Sequence, residues 1–208
     1  MVRKTKEDAL ITRNSILDAA ELVFQRQGVS RTSLHDIAQA AGVTRGAVYW
    51  HFKDKADVFM TMMDRVCLPL EEDTGEREPV GPGLALEKVR EKVRTVFRLV
   101  SEDERARRVI EIATQKVEYV DELSAVRDRH LQCRGDHAGR LEYLMQQAQL
   151  HGEIGRAVSP AQIALGLHAL VDGLLQNWIM DPQAFDLVET GMLTLDTYLA
   201  GLSASRPA

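Results

Sequence analysis

Leu34, Ile37, Ala38 and Ala41 recur at i, i+3, i+4 and i+7, and Gly42 follows the last of them at once. That spacing gives one apolar face to a helix of about two turns. Gly42 can take the left-handed conformation that ends such a helix in a sharp turn. Thr44 then offers a side-chain oxygen to cap a second helix, on which Val48 and Phe52 lie one turn apart and face inward. Helix, tight turn and second short helix make a helix-turn-helix, whose second helix enters the DNA major groove. The bland alternative is an amphipathic core hairpin with a few surface polar residues. Against it, the small, polar and aromatic residues all stand where a groove reader needs them.

The second helix sorts by chemistry. Arg45, in its first turn, has the reach for a bidentate pair with guanine O6 and N7. Gly46 and Ala47 add little to helix stability but let the backbone approach a duplex closely, and Trp50 shares their side. Tyr49 and His51 flank that side and suit phosphate oxygens, with Lys55 a further phosphate contact at the start of the next helix. Ser33, His35 and Thr44, at the starts of the two short helices, complete the expected DNA-facing set. Ser33 and Asp36 have capping-box spacing, and Asp54 can cap the helix that follows.

The stretch from Thr32 to Lys55, TSLHDIAQAAGVTRGAVYWHFKDK, resembles the DNA-binding signature of the tetracycline-repressor (TetR) family. Together with the opening Arg3 to Ala9, the run Gly42 to Phe52 is most similar to the AcrR-like branch, repressors of multidrug efflux pumps. The close resemblance spans about the first third of the chain; beyond residue 70 it extends to helical layout and to Phe185-Asp186-Leu187. It implies a dimeric repressor on a palindromic operator, with a small-molecule pocket among its C-terminal helices.

At 208 residues the chain holds one large domain or two smaller ones, and 45% hydrophobic with 27% charged residues is ordinary for a globular protein. No stretch is expected to reach the ~20 apolar residues of a membrane span. The basic N-terminus lacks the apolar core of a secretory signal, so a cytoplasmic protein without membrane contact is expected. Cys67 and Cys133 lack ligand spacing and read as reduced, inert residues rather than a disulfide, a redox switch or a zinc site. The formal charge of −5 is split unevenly. Residues 1–55 carry nine Lys/Arg against six Asp/Glu, a net +3, and the remainder seventeen against twenty-five, a net −8. An acidic body with a basic head directs DNA to the head. The division expected is therefore a DNA-binding domain over 1–55 and a ligand-binding and dimerisation domain over 56–208, linked by helix four at 55–70.

Helical periodicity runs through the whole chain, which reads all-α with about nine helices. A first helix is expected from Lys6 to Gln27, a fourth to about Pro69, and a loop from Glu71 to Gly83. Further helices follow from Leu84, from the Glu104-Arg105 region, and from about Tyr119 to Leu150. Ser159-Pro160 then starts one that stops before Pro182, and Val188 to Leu202 mark the last. The basic tail Met1–Lys6 is either a solvated arm or one lying on phosphates.

The last two helices are apolar over more than one stripe, with Ala164, Ala169 and Gly173 beside larger residues. A two-sided helix needs two partners. The expected outer one is the same helix pair of a second subunit, in a four-helix bundle; the alternative is burial within one domain. For the pocket that the resemblance implies, the candidates are Phe97, Ile112, Gln115, His137, Leu141, Asp172 and Trp178. Val100, Cys133, His168 and Leu174 lie on helix faces that could converge with them. Asp172 stands out because a carboxylate among leucines and valine is costly to bury without purpose; it either lines a pocket suited to cations or bonds across an interface. The inducer expected is small and hydrophobic. No GxSxG, carboxylate pair or phosphate loop suggests an enzyme, and no metal or cofactor is implied. A DNA-binding activator, or a regulator of unrelated genes, is the rival reading.

Overall fold

The structure, a computed structural model, describes residues 6–72, 79–118 and 123–204. Among them are nine α-helices and no strand: α1 Lys6–Gln27, α2 Leu34–Ala40, α3 Arg45–His51, α4 Lys55–Glu72, α5 Ala85–Glu102, α6 Glu104–Gln115, α7 Ser124–Leu150, α8 Pro160–Met180 and α9 Leu187–Ala204. The all-α expectation holds, and α1 has the bounds read from the sequence. Helix four does not stop at about Pro69 as expected but runs to Glu72. The expected tail Met1–Lys6 lies outside the described residues except for Lys6. So do residues 73–78 of the expected loop and 119–122 of the expected long helix, whose described part starts at Ser124. The Cys67 and Cys133 side chains are outside them too.

Packing divides the chain into two compact units, one of residues 1–72 with 108–130 and one of 73–107 with 131–208. In the first, α1 packs on α2, α3 and α4 over a core that includes Ile16, Leu17, Phe24, Ile37, Val48, Phe52 and Met62. Phe24 meets Phe59 edge-on at 6.1 Å, a favourable aromatic geometry. Glu21 is buried at 1% exposure, and its charge is answered by Arg65 of α4 at 3.2 Å and Arg108 of α6 at 3.7 Å. Only such pairing makes a buried carboxylate tolerable. The turn after α1 is tied to the segment after α6, where Val29 N–H donates to the Lys116 carbonyl at 2.9 Å. Gly28 makes this turn possible with φ +83°.

In the second unit α9 packs on α5 and α8. Phe97, Val89, Val93 and Val100 fill the inner face of α5, and Leu195 and Leu199 that of α9. The α7 helix ends in a Schellman turn, with Glu153 N–H reaching the Ala148 carbonyl at 2.8 Å past Gly152 at φ +71°. The Glu153 carboxylate then accepts from the Ala85 and Leu86 N–H groups at 3.3 and 3.1 Å, capping α5 where the helix dipole favours an anion. Ser159 caps α8 with Pro160 in its first turn, as the sequence suggested, and Gln162 completes a capping box that the sequence reading had not named.

Helix α8 overturns one expectation. By length and composition it is apolar enough to cross a membrane, yet only 28% of its most apolar window is buried. Leu165 at 57% and Met180 at 77% exposure, with Leu193 of α9 at 69%, leave an apolar surface that packing within the chain does not cover.

Candidate nucleic-acid interface

The short helices are held from below. Ser33 accepts from Asp36 N–H at 3.2 Å while Asp36 accepts from Ser33 N–H at 2.8 Å, the reciprocal capping box. These bonds from Ser33 hold the Asp36 carboxyl below its ordinary range, since they favour the charged form. The end of α2 is a second Schellman turn. Val43 N–H reaches the Ala38 carbonyl at 3.0 Å, and Gly42 N–H reaches that of Gln39 at 3.2 Å, with Gly42 at φ +65°. Thr44 Oγ1 accepts from Ala47 N–H at 3.2 Å and starts α3.

Val48 is fully buried and Phe52 nearly so, anchoring α3 by one face. Arg13 of α1 lies over the Phe52 ring at 5.1 Å and donates to Thr61 Oγ1 of α4 at 3.4 Å, so one side chain braces three helices. The sequence pattern had not singled out Arg13, because its two partners lie far along the chain. On the opposite side α3 presents Arg45, Gly46, Tyr49 and Trp50, with Trp50 72% exposed and its ring edge-on to His51 at 4.5 Å. Ala47 and His51 are partly exposed beside them; Ser33, His35 and Thr44 are exposed at the helix starts. An exposed indole on a helix whose other face is fully packed has no folding role, and it suits contact with another molecule.

Gly46 adds to this. A Cβ there would meet only Thr44 Oγ1, at 3.9 Å, so nothing in the fold requires glycine. Arg45 Nη2 donates to Tyr49 Oη at 3.1 Å, a link that their i, i+4 spacing permits but that the assignment of separate roles had missed.

Lys55 departs from expectation. It is 6% exposed and its Nζ donates to the Ser30 carbonyl at 2.9 Å, closing α4 onto the turn between α1 and α2. In this arrangement its ammonium is engaged in the fold rather than presented to a phosphate.

The expected ligand-lining residues are shared between the two units. Ile112 and Gln115 belong to the first unit, the former fully buried and the latter exposed. The others belong to the second. There Phe97 is fully buried against Gly191, and His137 and Leu141 are half-buried. Asp172 is bonded to His168 Nε2 at 3.2 Å with nearly half its side chain exposed, so it is not the desolvated carboxylate its neighbours in sequence suggested. Trp178 is buried under the Arg107 guanidinium at 5.4 Å. It lines a cavity of about 450 Å³, which opens beside Arg98, Glu102, Phe185 and Leu187.

A family model described as bacterial regulatory proteins of the tetR family matches residues 16–62, and one described as the C-terminal region of MAATS-type transcriptional repressors matches 85–204. The chain is 35% identical over 212 residues to the HTH-type transcriptional regulator AcrR of Shigella flexneri, covering 100% of this chain and 99% of that one. Among solved structures it is similar to NalD, the secondary repressor of the MexAB-OprM multidrug efflux pump in Pseudomonas aeruginosa. That match has a TM-score of 0.84 at 35% identity and covers 95% of this chain and 98% of NalD. It is also similar to SmeT in its complex with triclosan, with a TM-score of 0.79 at 35% identity, covering 92% and 91%.

Proposed function

This chain belongs to the tetR family of bacterial regulatory proteins, with the C-terminal region of the MAATS-type repressors, and from that premise we propose that it represses multidrug efflux genes. It binds a palindromic operator as a homodimer and lets go when a small hydrophobic, in some cases cationic, compound occupies the C-terminal domain. Residues 1–55 are the reading head, α4 is the link, and 56–208 bind ligand and partner. It works in the cytoplasm, where its operator is.

The observation that carries the reading is α3 itself. Its start is capped by Thr44, its inner face is filled by Val48 and Phe52, and its outer face offers Arg45, Gly46, Tyr49 and Trp50. Arg45 reads a base, Tyr49 and His51 hold phosphates, and the small residues allow close approach. One such head makes few contacts, and pairing two on a palindrome supplies the rest of the affinity. The uncovered apolar strip on α8 and α9 supports that pairing. Efflux control and a drug-like inducer are carried from NalD and from SmeT with triclosan.

Operator mapping tests this reading. The protein is expected to protect a palindrome overlapping a promoter next to an efflux gene; protection upstream of the promoter would indicate an activator instead. A compound that induces should lower operator affinity by about 5- to 150-fold, and operator DNA must weaken the compound's binding by the same factor. Equal binding to free and DNA-bound protein would mean that the compound is not an inducer.

A further inference from the structure

Arg45 and Tyr49 are in direct contact on the outer face of α3. Arg45 Nη2 donates to Tyr49 Oη at 3.1 Å, and the guanidinium carbon lies 5.4 Å from the ring centroid. Among the described residues no carboxylate is paired with Arg45. Tyr49 is 49% exposed, so neither side chain is fixed by burial. A long exposed arginine would otherwise sample many rotamers and lose that freedom on binding. Here a hydroxyl and a ring face hold it from one side.

The donor inventory shows what is left over. A guanidinium has five N–H groups in a planar fork, and the tyrosine takes one of them. The remaining donors include a pair with the geometry that guanine O6 and N7 accept. A hydroxyl that accepts from Arg45 keeps its own proton for another acceptor, such as a phosphate oxygen. The bond also raises the arginine's proton affinity, since it favours the charged form.

We propose that Tyr49 is a positioning residue for base readout: it holds Arg45 in the rotamer that reads guanine, so selectivity at one base pair of each half-site depends on a residue that need not touch that base. This rests on the reading of α3 as the DNA-binding helix. A tyrosine serving only as a phosphate contact would add affinity uniformly across sequences.

The test uses the full-length protein and an operator selected from random DNA by the wild type. Binding preference at every half-site position is then measured for Tyr49→Phe, Arg45→Ala and the double variant, with thermal melting to confirm folding. Phenylalanine keeps the ring and removes only the hydroxyl. The expected result is a roughly 2- to 12-fold weaker Tyr49→Phe, the range of one net hydrogen bond. Its preference should relax at the same base pair that Arg45→Ala relaxes, and it should add little further loss in the Arg45→Ala background. Three outcomes would overturn the proposal: unchanged preference at that pair in Tyr49→Phe, an undiminished loss in the double variant, or tighter binding by Tyr49→Phe, which would make the internal bond a competitor of DNA. If Arg45→Ala itself leaves every position unchanged, the assignment of Arg45 as base reader fails first, and the positioning role fails with it.

Discussion

Gly191 of α9 lies against the ring of Phe97 of α5 so closely that a Cβ at 191 would overlap the ring edge. Both residues are buried, with Phe97 fully so. The absent side chain is therefore part of how the two helices pack. Gly191→Ala is expected to cost about 1–3 kcal/mol of stability through overpacking. Phe97→Leu should restore part of that loss when combined with it, because a non-planar, smaller group can make room. Urea unfolding of the two single variants and the double gives the coupling; strictly additive losses would show that the contact is not shared.

Lys55→Met removes the donor to the Ser30 carbonyl while keeping much of the buried stem. A loss of about 1–3 kcal/mol in stability is expected, the range for leaving a buried acceptor unpaired. The dependence of log affinity on log salt should stay as in the wild type. A slope shallower by about one unit would mean that the ammonium leaves Ser30 and reaches a phosphate on DNA.

At Gly46 folding and binding should move in opposite directions. Since a Cβ there meets no close neighbour, Gly46→Ala should stabilise the protein by up to about 1 kcal/mol through helix propensity. If the duplex approaches this backbone, operator binding should fall even so. Unchanged affinity would place Gly46 away from the DNA.

Acid should weaken the α2 cap. The folded carboxyl of Asp36 sits below the ordinary value of 3.8 because Ser33 bonds to its charged form. Such a group contributes stability that is fully present above the ordinary value and is lost as pH falls through the lowered one. Asp36→Asn should therefore be less stable than the wild type near neutrality, with the gap closing in acid. A gap constant across that window would assign the effect to shape rather than charge.

Leu165→Glu and Leu193→Glu put charge on surface positions, 57% and 69% exposed in a single chain, so each protomer should still fold. The wild type is expected to sediment near twice its 23.3 kDa chain mass, and either variant near the chain mass itself. A wild type that stays a monomer, with and without operator, would defeat the dimer. Variants that remain dimeric would move the interface elsewhere.

Sequence alone determined the parts of this protein that depend on neighbours along the chain. The helices of the head were legible because apolar spacing, Gly42, the Ser33–Asp36 pair and Thr44 act within a few residues of one another. The outward row from Arg45 to Trp50 followed from the same periodicity, and the start of α8 from Ser159-Pro160. What required the tertiary structure was every role set by a partner distant in sequence. Lys55 looked like a free cation until Ser30 stood beside it, Arg13 went unnoticed until Phe52 and Thr61 met it, and Phe97 looked available until Gly191 closed on it. Asp172 looked costly to bury because its neighbours in sequence are apolar, yet in the single chain nearly half its side chain is exposed beside His168. The physical reason is the range of the interactions. Caps, turns and amphipathic faces are fixed by bonds and spacing within one or two helical turns, whereas burial and ion pairing depend on which distant surfaces the fold brings together.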